Sequence, residues 1–352
     1  MFMKQTIAFS TDIAETAEAA VAACQPDKTF IITDNTTQRL CLPLIMKAPG
    51  LANAKIISIP PTDANKNLEQ LAYVWSELQS GGATRHSCTV NLGGGMITDL
   101  GGFAASTFKR GMDFINIPTT LLSMVDASVG GKTGINYGGL KNEIGVFNNA
   151  RTVIIDTSFL STLDSGNLLS GYAEMLKHGL LSNDKMWSEL LLFDIGNPDL
   201  KLLQTMVKDS IQVKEHIVEL DPHETGLRKA LNLGHTIGHA FESFALNTEH
   251  PLLHGYAVAY GLIGELYLSC IKTGFPTEKM RQTATFIREH YGCPDINCKD
   301  YMQLIELMRH DKKNTGKNIN FTLLADIGDI RINQTATNEE IYEALDFIRE
   351  GI

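Results

Sequence analysis

Over the first 157 residues, short β-branched runs alternate with amphipathic stretches. Candidate strands are Thr6–Ser10, Thr29–Thr33, Lys55–Ile59, Cys88–Leu92, Phe114–Pro118 and Thr152–Asp156. Apolar positions at helical spacing fall between them, for example in Ile13–Ala23, Asn67–Leu78 and Thr98–Phe108. Such alternation predicts parallel strands with helices on both faces. The reading is a Rossmann-like α/β nucleotide-binding domain over residues 1–157, with ligands beyond the carboxyl ends of its strands. From residue 158 the pattern changes, and nearly everything to His310 has helical periodicity. Turn signals interrupt it at Gly196-Asn197-Pro198, Asp221-Pro222 and Gly274-Phe275-Pro276. A short strand pair, Ile319–Leu324 and Asp329–Ile332, and a helix from about Asn338 complete a mainly α-helical second domain, 158–352.

The run RKALNLGHTIGHAFE, residues 228–242, departs from ordinary amphipathic patterning. Read as one helix, it places Arg228, Asn232, His235, His239 and Glu242 on a single stripe at steps of four, three, four and three. Most of the remaining circumference is apolar. A helix so enclosed cannot strand polar groups, because each costs about 1–3 kcal/mol. The stripe is therefore expected to line a polar, metal-competent cavity. Spacing alone leaves open a clamp by His235 and His239, since imidazoles at i and i+4 can share one ion.

Composition narrows the class. A chain of 352 residues exceeds what one core usually accommodates, which agrees with two domains. With 43% hydrophobic and 20% charged residues it is not a disordered chain. A net charge of -10 argues against general affinity for nucleic acid or anionic membrane. No apolar run reaches the roughly 18 residues of a membrane span, and MFMKQTIAFSTD lacks the apolar core of a secretory signal. Six scattered cysteines suit reduced thiols. A cytoplasmic location is expected.

Two glycine-rich stretches offer phosphate chemistry. LGGGMITDLGG, residues 92–102, follows a candidate strand and opens a candidate helix, where backbone N–H groups and the helix start favour an anion. Its spacing is not G-x-G-x-x-G, so alone it also fits a tight strand-to-helix turn. DASVGGKTG, residues 126–134, ends like a P-loop but has Asp126 where the first glycine belongs. An ATPase is rejected. What remains is a flexible loop presenting Lys132, Lys141 and Asn142 to an anion.

Together these segments resemble the 3-dehydroquinate synthases, a family of sugar-phosphate cyclases, from about Asp34 to Ile330. The resemblance is densest in GGGMITDLGGFAASTFKRG, IPTTLLSMVDASVGGKTGIN, KNEIGVFNNARTVIID, GYAEMLKHGLL, GLRKALNLGHTIGHAFE, LLHGYAVAYGL and HDKKN. It implies bound NAD, a divalent metal (zinc or cobalt), a homodimer, and the substrate 3-deoxy-D-arabino-heptulosonate 7-phosphate of the shikimate pathway. The implied lyase reaction has no net redox change: transient oxidation by NAD, phosphate elimination, re-reduction and intramolecular aldol closure.

The metal ligands implied by the resemblance are Glu174, His235 and His254, which moves His239 from the metal to phosphate contact and proton transfer. Carboxylate plus two imidazoles is a reasonable catalytic zinc shell. The resemblance further implies hydroxyl binding by Asp126, Lys177 and Asn232, and carboxylate binding by Lys214 and Arg228. Lys132, Asn142, His239 and Lys312 match its phosphate set, and Arg110 its contribution to a neighbouring subunit. For NAD it implies Asp34, Asp63, Lys66, Gly94, Gly95, Asp99, Thr119, Thr120, Lys132, Lys141 and the Phe159–Thr162 turn.

Two departures fall on the nucleotide side: Thr62-Asp63 stands where the family usually has Gly-Glu, and Thr98 replaces a common glycine. Altered cofactor affinity is expected, not loss. Rival readings are a metal-dependent polyol dehydrogenase, which would release NADH, and a cyclase for a sugar phosphate lacking a carboxylate. Lys214 and Arg228 argue against the latter.

Overall fold

The computed structural model describes residues 5–245, 251–310 and 319–351. The chain divides into two compact units, residues 1–164 with 199–211, and residues 165–198 with 212–352. The segment 199–211 belongs with the first unit, which a single cut after residue 157 leaves out.

In the first unit, all six candidate strands form one parallel sheet. They are β1 (Thr6–Phe9), β2 (Thr29–Asp34), β3 (Lys55–Ile59), β4 (Cys88–Gly93), β5 (Asp113–Pro118) and β8 (Thr152–Ile155). The order across the sheet is β1-β8-β5-β4-β2-β3. β4 is buried at every residue, as a central parallel strand covered on both faces must be. The anticipated helices are Ile13–Cys24, Leu68–Ser80 and Gly95–Thr107.

One expectation fails here. Residues 132–147, read as a flexible loop, are an antiparallel hairpin, β6 (Lys132–Tyr137) and β7 (Leu140–Phe147). Its two-residue turn is Gly138-Gly139, with φ of 60° and 81°. A Gly-Gly pair between short apolar runs is the signature of a tight hairpin, masked by the P-loop-like residues before it.

The second unit is helical, with β9 (Asn320–Asp326) and β10 (Asp329–Thr335) pairing antiparallel, and a last helix at Asn338–Glu350. Three of its helices matter most: Ser165–Ser182, His235–Ala245 and His254–Thr273. They approach one another at glycine. A Cβ at Gly255 would lie 1.9 Å from the Ser170 carbonyl oxygen, and one at Gly261 would lie 1.8 Å from that of Gly234. No side chain fits at either contact, so backbones meet beside His235 and His254.

The expected single helix over 228–242 is also corrected. Residues Leu227–Asn232 form a 3-10 turn, and the α-helix starts only at His235. Gly234 separates them at φ 78°, a left-handed conformation that no helix carries through. His235, His239 and Glu242 keep their shared face, whereas Arg228 and Asn232 stand on a different element.

Thr62 adopts φ 82°, ψ 151°, a region open essentially to glycine alone. This is one of the two positions where the family resemblance leads one to expect a glycine. Thr62→Gly is expected to raise stability by about 1 kcal/mol, the strain relieved less the entropy a glycine loses. The midpoint of urea denaturation checks it; an unchanged or lower midpoint counts against strain at Thr62.

Candidate active site

In the second unit, three helices each contribute one donor to a single point. Glu174 on the Ser165–Ser182 helix is fully buried. Its Oε1 faces His235 Nε2 at 3.4 Å and His254 Nε2 at 3.5 Å. Candidate ligand atoms of these three residues lie within 4.8 Å of one another. The other carboxylate oxygen, Oε2, is taken by the ammonium of buried Lys177, one turn on.

The outer nitrogens of both rings are occupied. His235 Nδ1 lies 3.0 Å from the Leu233 carbonyl oxygen, and His254 Nδ1 lies 3.3 Å from Glu242 Oε2. A carbonyl can only accept, so His235 carries a proton on Nδ1, which leaves Nε2 as the ring atom that would ligate a metal. Glu174 Oε1 and the ring nitrogens around it fit a divalent cation. The donor set of one carboxylate and two imidazoles suits zinc or cobalt.

Electrostatics agree with that fit. Burial alone would push the Glu174 carboxyl up, but Lys177 and the two imidazoles hold it well below the usual carboxylate range. For His254, burial disfavours the charged ring, yet hydrogen bonding to Glu174 and Glu242 raises its pKa to about 10. Both shifts favour positive charge beside the Glu174 carboxylate. His239 stands beside it, its ring centroid 5.2 Å from that of His235 and 6.2 Å from that of His254.

The unit's other expected residues, Lys312 apart, lie between Lys214 and Asn232 in the chain. Lys214, on the Leu200–Leu220 helix, and Arg228 are both buried despite their charge. Asp221 organises the loop by accepting from the backbone N–H groups of Thr225 (3.0 Å), Gly226 (2.7 Å) and Arg228 (3.0 Å). The Arg228 guanidinium donates to the Pro222 carbonyl at 2.7 Å, and Asn232 Nδ2 donates to Glu224 at 3.1 Å. Lys312 lies outside the described residues.

Two carboxylates that the sequence reading did not single out shape this unit: Asp221, just described, and Glu265. Glu265 on the His254–Thr273 helix is fully buried and accepts from three backbone N–H groups, those of Gly234 (2.6 Å), Thr236 (2.9 Å) and Ile237 (3.1 Å). The available signal was one acid within the apolar run AVAYGLIGELYL, since a carboxylate there must find donors.

In the first unit, the expected nucleotide residues gather at the carboxyl ends of the strands. Asp34 ends β2 and caps the helix Asn35–Leu40, accepting from Thr36 and Thr37 N–H at 2.8 and 2.9 Å. Gly94 is the N-cap of the helix Gly95–Thr107 and has no side chain to satisfy its first N–H groups, which leaves that helix start suited to an anion. Thr119 and Thr120 follow β5, the first donating its N–H to the Gly93 carbonyl at 3.0 Å. Thr98 is buried and donates its hydroxyl to the Gly95 carbonyl at 3.2 Å. It therefore points into its own helix. Phe159 is fully buried, so its turn can offer a ligand only backbone atoms and Thr162.

Lys66 links several of these groups. Its buried ammonium donates to Asp99 at 3.0 Å and to Asn142 at 2.5 Å, with Asp63 at 3.6 Å. Burial disfavours that charge, but Asp99 and Asp63 outweigh it and hold the lysine above its usual range. Asp63 also lies 3.7 Å from Lys141. Asp126 sits on a π-helical turn, Ser123–Ala127, a distortion frequent at functional sites. Lys132 is exposed at the start of β6, and Arg110 is exposed at φ 70° between Lys109 and Gly111, also at positive φ.

The Asp221 loop gives a pH test. Burial works against its charge, but the Gly226, Thr225 and Arg228 N–H groups hold its carboxyl down to about 2, from an ordinary 3.8. A depressed carboxylate stabilises above the ordinary value and stops doing so as pH falls through the lowered one. Hydrogen-exchange protection at Gly226 and Arg228 should therefore fall as pH drops through that window. Asp221→Asn should lack it at neutral pH, and retained protection in that variant would refute the role.

Comparison with known proteins assigns the family. The model described as 3-dehydroquinate synthase N-terminal matches residues 56–170, and the model described as 3-dehydroquinate synthase C-terminal matches residues 171–314. The chain is 51% identical to the 3-dehydroquinate synthase of Parabacteroides distasonis over 348 residues, 99% of each chain. It is 38% identical to that of Oceanobacillus iheyensis over 303 residues, 86% of this chain and 84% of the other. A solved 2-deoxy-scyllo-inosose synthase, in complex with carbaglucose-6-phosphate, NAD+ and Co2+, shares the fold at a TM-score of 0.85 and 24% identity, covering 96% of this chain and 95% of its own. Two family models in succession and near-complete alignment with a close relative leave one conclusion: this chain belongs to the 3-dehydroquinate synthase family.

Proposed function

We propose that the chain converts 3-deoxy-D-arabino-heptulosonate 7-phosphate to 3-dehydroquinate and inorganic phosphate, a phosphate-eliminating lyase reaction with no net redox change. The observation that carries this reading is the 51% identity to a 3-dehydroquinate synthase over 99% of both chains. Support for the metal comes from Glu174, His235 and His254, whose donor atoms meet at one buried point.

Glu174, His235 and His254 would hold zinc or cobalt, which supplies Lewis acidity toward substrate hydroxyls. Asp34, Asp63, Lys66, Gly94, Gly95, Asp99, Thr119, Thr120, Lys132, Lys141 and the Phe159–Thr162 turn would hold NAD, which supplies a reversible hydride acceptor. The remaining work belongs to the protein's own charges. Arg228 and Lys214 orient the substrate carboxylate, and Arg228 suits this because its planar fork matches that group. Asp126, Lys177 and Asn232 orient hydroxyls. Lys132, Asn142, His239 and Lys312 bind the phosphate, and the His239 imidazole is placed to hold or release a proton beside it.

The cytoplasm is the proposed location; among the described residues, no helix is long and apolar enough to cross a membrane. A homodimer is the proposed assembly, with Arg110 reaching the neighbouring subunit's site. In support, Arg110 is exposed and stands on strained backbone at φ 70°.

Purified protein given NAD, zinc and the heptulosonate phosphate should release phosphate and dehydroquinate in equal amounts, without NADH build-up at near-ultraviolet wavelengths. Accumulating NADH without phosphate release would favour the polyol dehydrogenase instead. His235→Ala should abolish metal-dependent turnover. Lys132→Ala should raise the substrate KM by on the order of 10- to 100-fold, the loss of one charge-assisted contact; an unchanged KM removes Lys132 from the phosphate set.

A further inference from the structure

The helix that carries His235 does not cap itself. Its N-cap position is Gly234, which has no side chain, and the first N–H groups of any helix lack intrahelical partners. Glu265 takes their place from the neighbouring His254–Thr273 helix. Its Oε1 accepts from Thr236 and Ile237, and its Oε2 from Gly234 at 2.6 Å. An anion is favoured at a helix start, and bonds to it are stronger than neutral ones.

The Gly234 N–H belongs to the same peptide unit as the Leu233 carbonyl, and that carbonyl faces His235 Nδ1 at 3.0 Å. One planar peptide therefore joins the Glu265 carboxylate to the His235 ring. Hydrogen bonds in series polarise each other, so an anion on the N–H side makes the carbonyl a better acceptor. A better acceptor fixes the Nδ1 proton more firmly and keeps Nε2 available to an ion shared with Glu174. The contact of Gly261 with the Gly234 carbonyl leaves this turn no room to shift toward its neighbour.

We propose that Glu265 is a positioning residue for metal binding, fixing the orientation and tautomer of His235 through the Leu233–Gly234 peptide. The inference rests on the assignment of Glu174, His235 and His254 as metal ligands. Removal of such an outer partner typically costs 10- to 100-fold in metal affinity.

The test is zinc affinity, measured by competition against a chromophoric chelator, together with the visible spectrum of the cobalt-loaded protein. Glu265→Gln should bind zinc about 10- to 100-fold more weakly than the native chain, with an altered cobalt spectrum. Ile237→Val, a small core change in the same helix, should lower the melting temperature yet leave zinc affinity within about twofold. Native affinity in Glu265→Gln would overturn the proposal, as would an equal loss in Ile237→Val, which would make the effect one of helix stability alone. If Glu265→Gln fails to fold, Glu265→Asp decides, because it keeps the charge but withdraws the carboxylate: weakened binding supports the proposal and native binding overturns it. His235→Ala separates the two layers. Zinc bound normally by that variant sinks the ligand assignment itself, whereas loss there beside native affinity in Glu265→Gln sinks only the role of Glu265.

Discussion

The Glu174 carboxylate is the constraint on which the helical unit depends. Removing such a group from water costs several kcal/mol unless positive charge and hydrogen bonds compensate. Here Lys177 compensates at one oxygen, and two imidazole nitrogens face the other. Those nitrogens come from two further helices, so the carboxylate is tolerable only while three helices hold one another in register. The glycine contacts at Gly255 and Gly261 let backbones meet with nothing between them. Packing of this kind does not adjust by small amounts, and a metal shell needs that rigidity.

The α/β unit belongs to a chain of net negative charge. It concentrates its cations locally. Lys66 stays charged although buried because Asp99, Asp63 and Asn142 surround it. Asp34, Gly93 and Pro118 end three neighbouring strands at the carboxyl end of the sheet, where the helix start after Gly94 adds backbone N–H groups. Thr62 shows the strain such a site stores: a β-branched residue holds a conformation suited to glycine directly before Asp63.

Much of this was legible in the sequence, and the exceptions have physical causes. The six strands of the sheet were readable because buried parallel strands need β-branched runs whatever surrounds them. Residues 174, 235 and 254, far apart in the chain, were grouped by family resemblance, and the structure brings them together. Spacing alone misled over 228–242, because helical periodicity does not register a break at one glycine whose φ is set by tertiary contact. The 132–147 hairpin was hidden because its charged residues suggested a loop, although its Gly-Gly turn was in view. Glu265 could not be placed, since a sequence does not say which helix start a buried acid will cap. Thr98, the departure from glycine on the nucleotide side, donates its hydroxyl to the Gly95 carbonyl of its own helix.

The central claim is that one carboxylate and two imidazoles share an ion, and the X-ray absorption fine structure of the zinc-loaded protein tests it most directly. The account predicts a first shell of nitrogen and oxygen at about 2.0–2.2 Å, with the outer-shell scattering of two imidazole rings, reduced to one in His254→Ala. A first shell containing sulfur, or an imidazole count unmoved by His254→Ala, would contradict it.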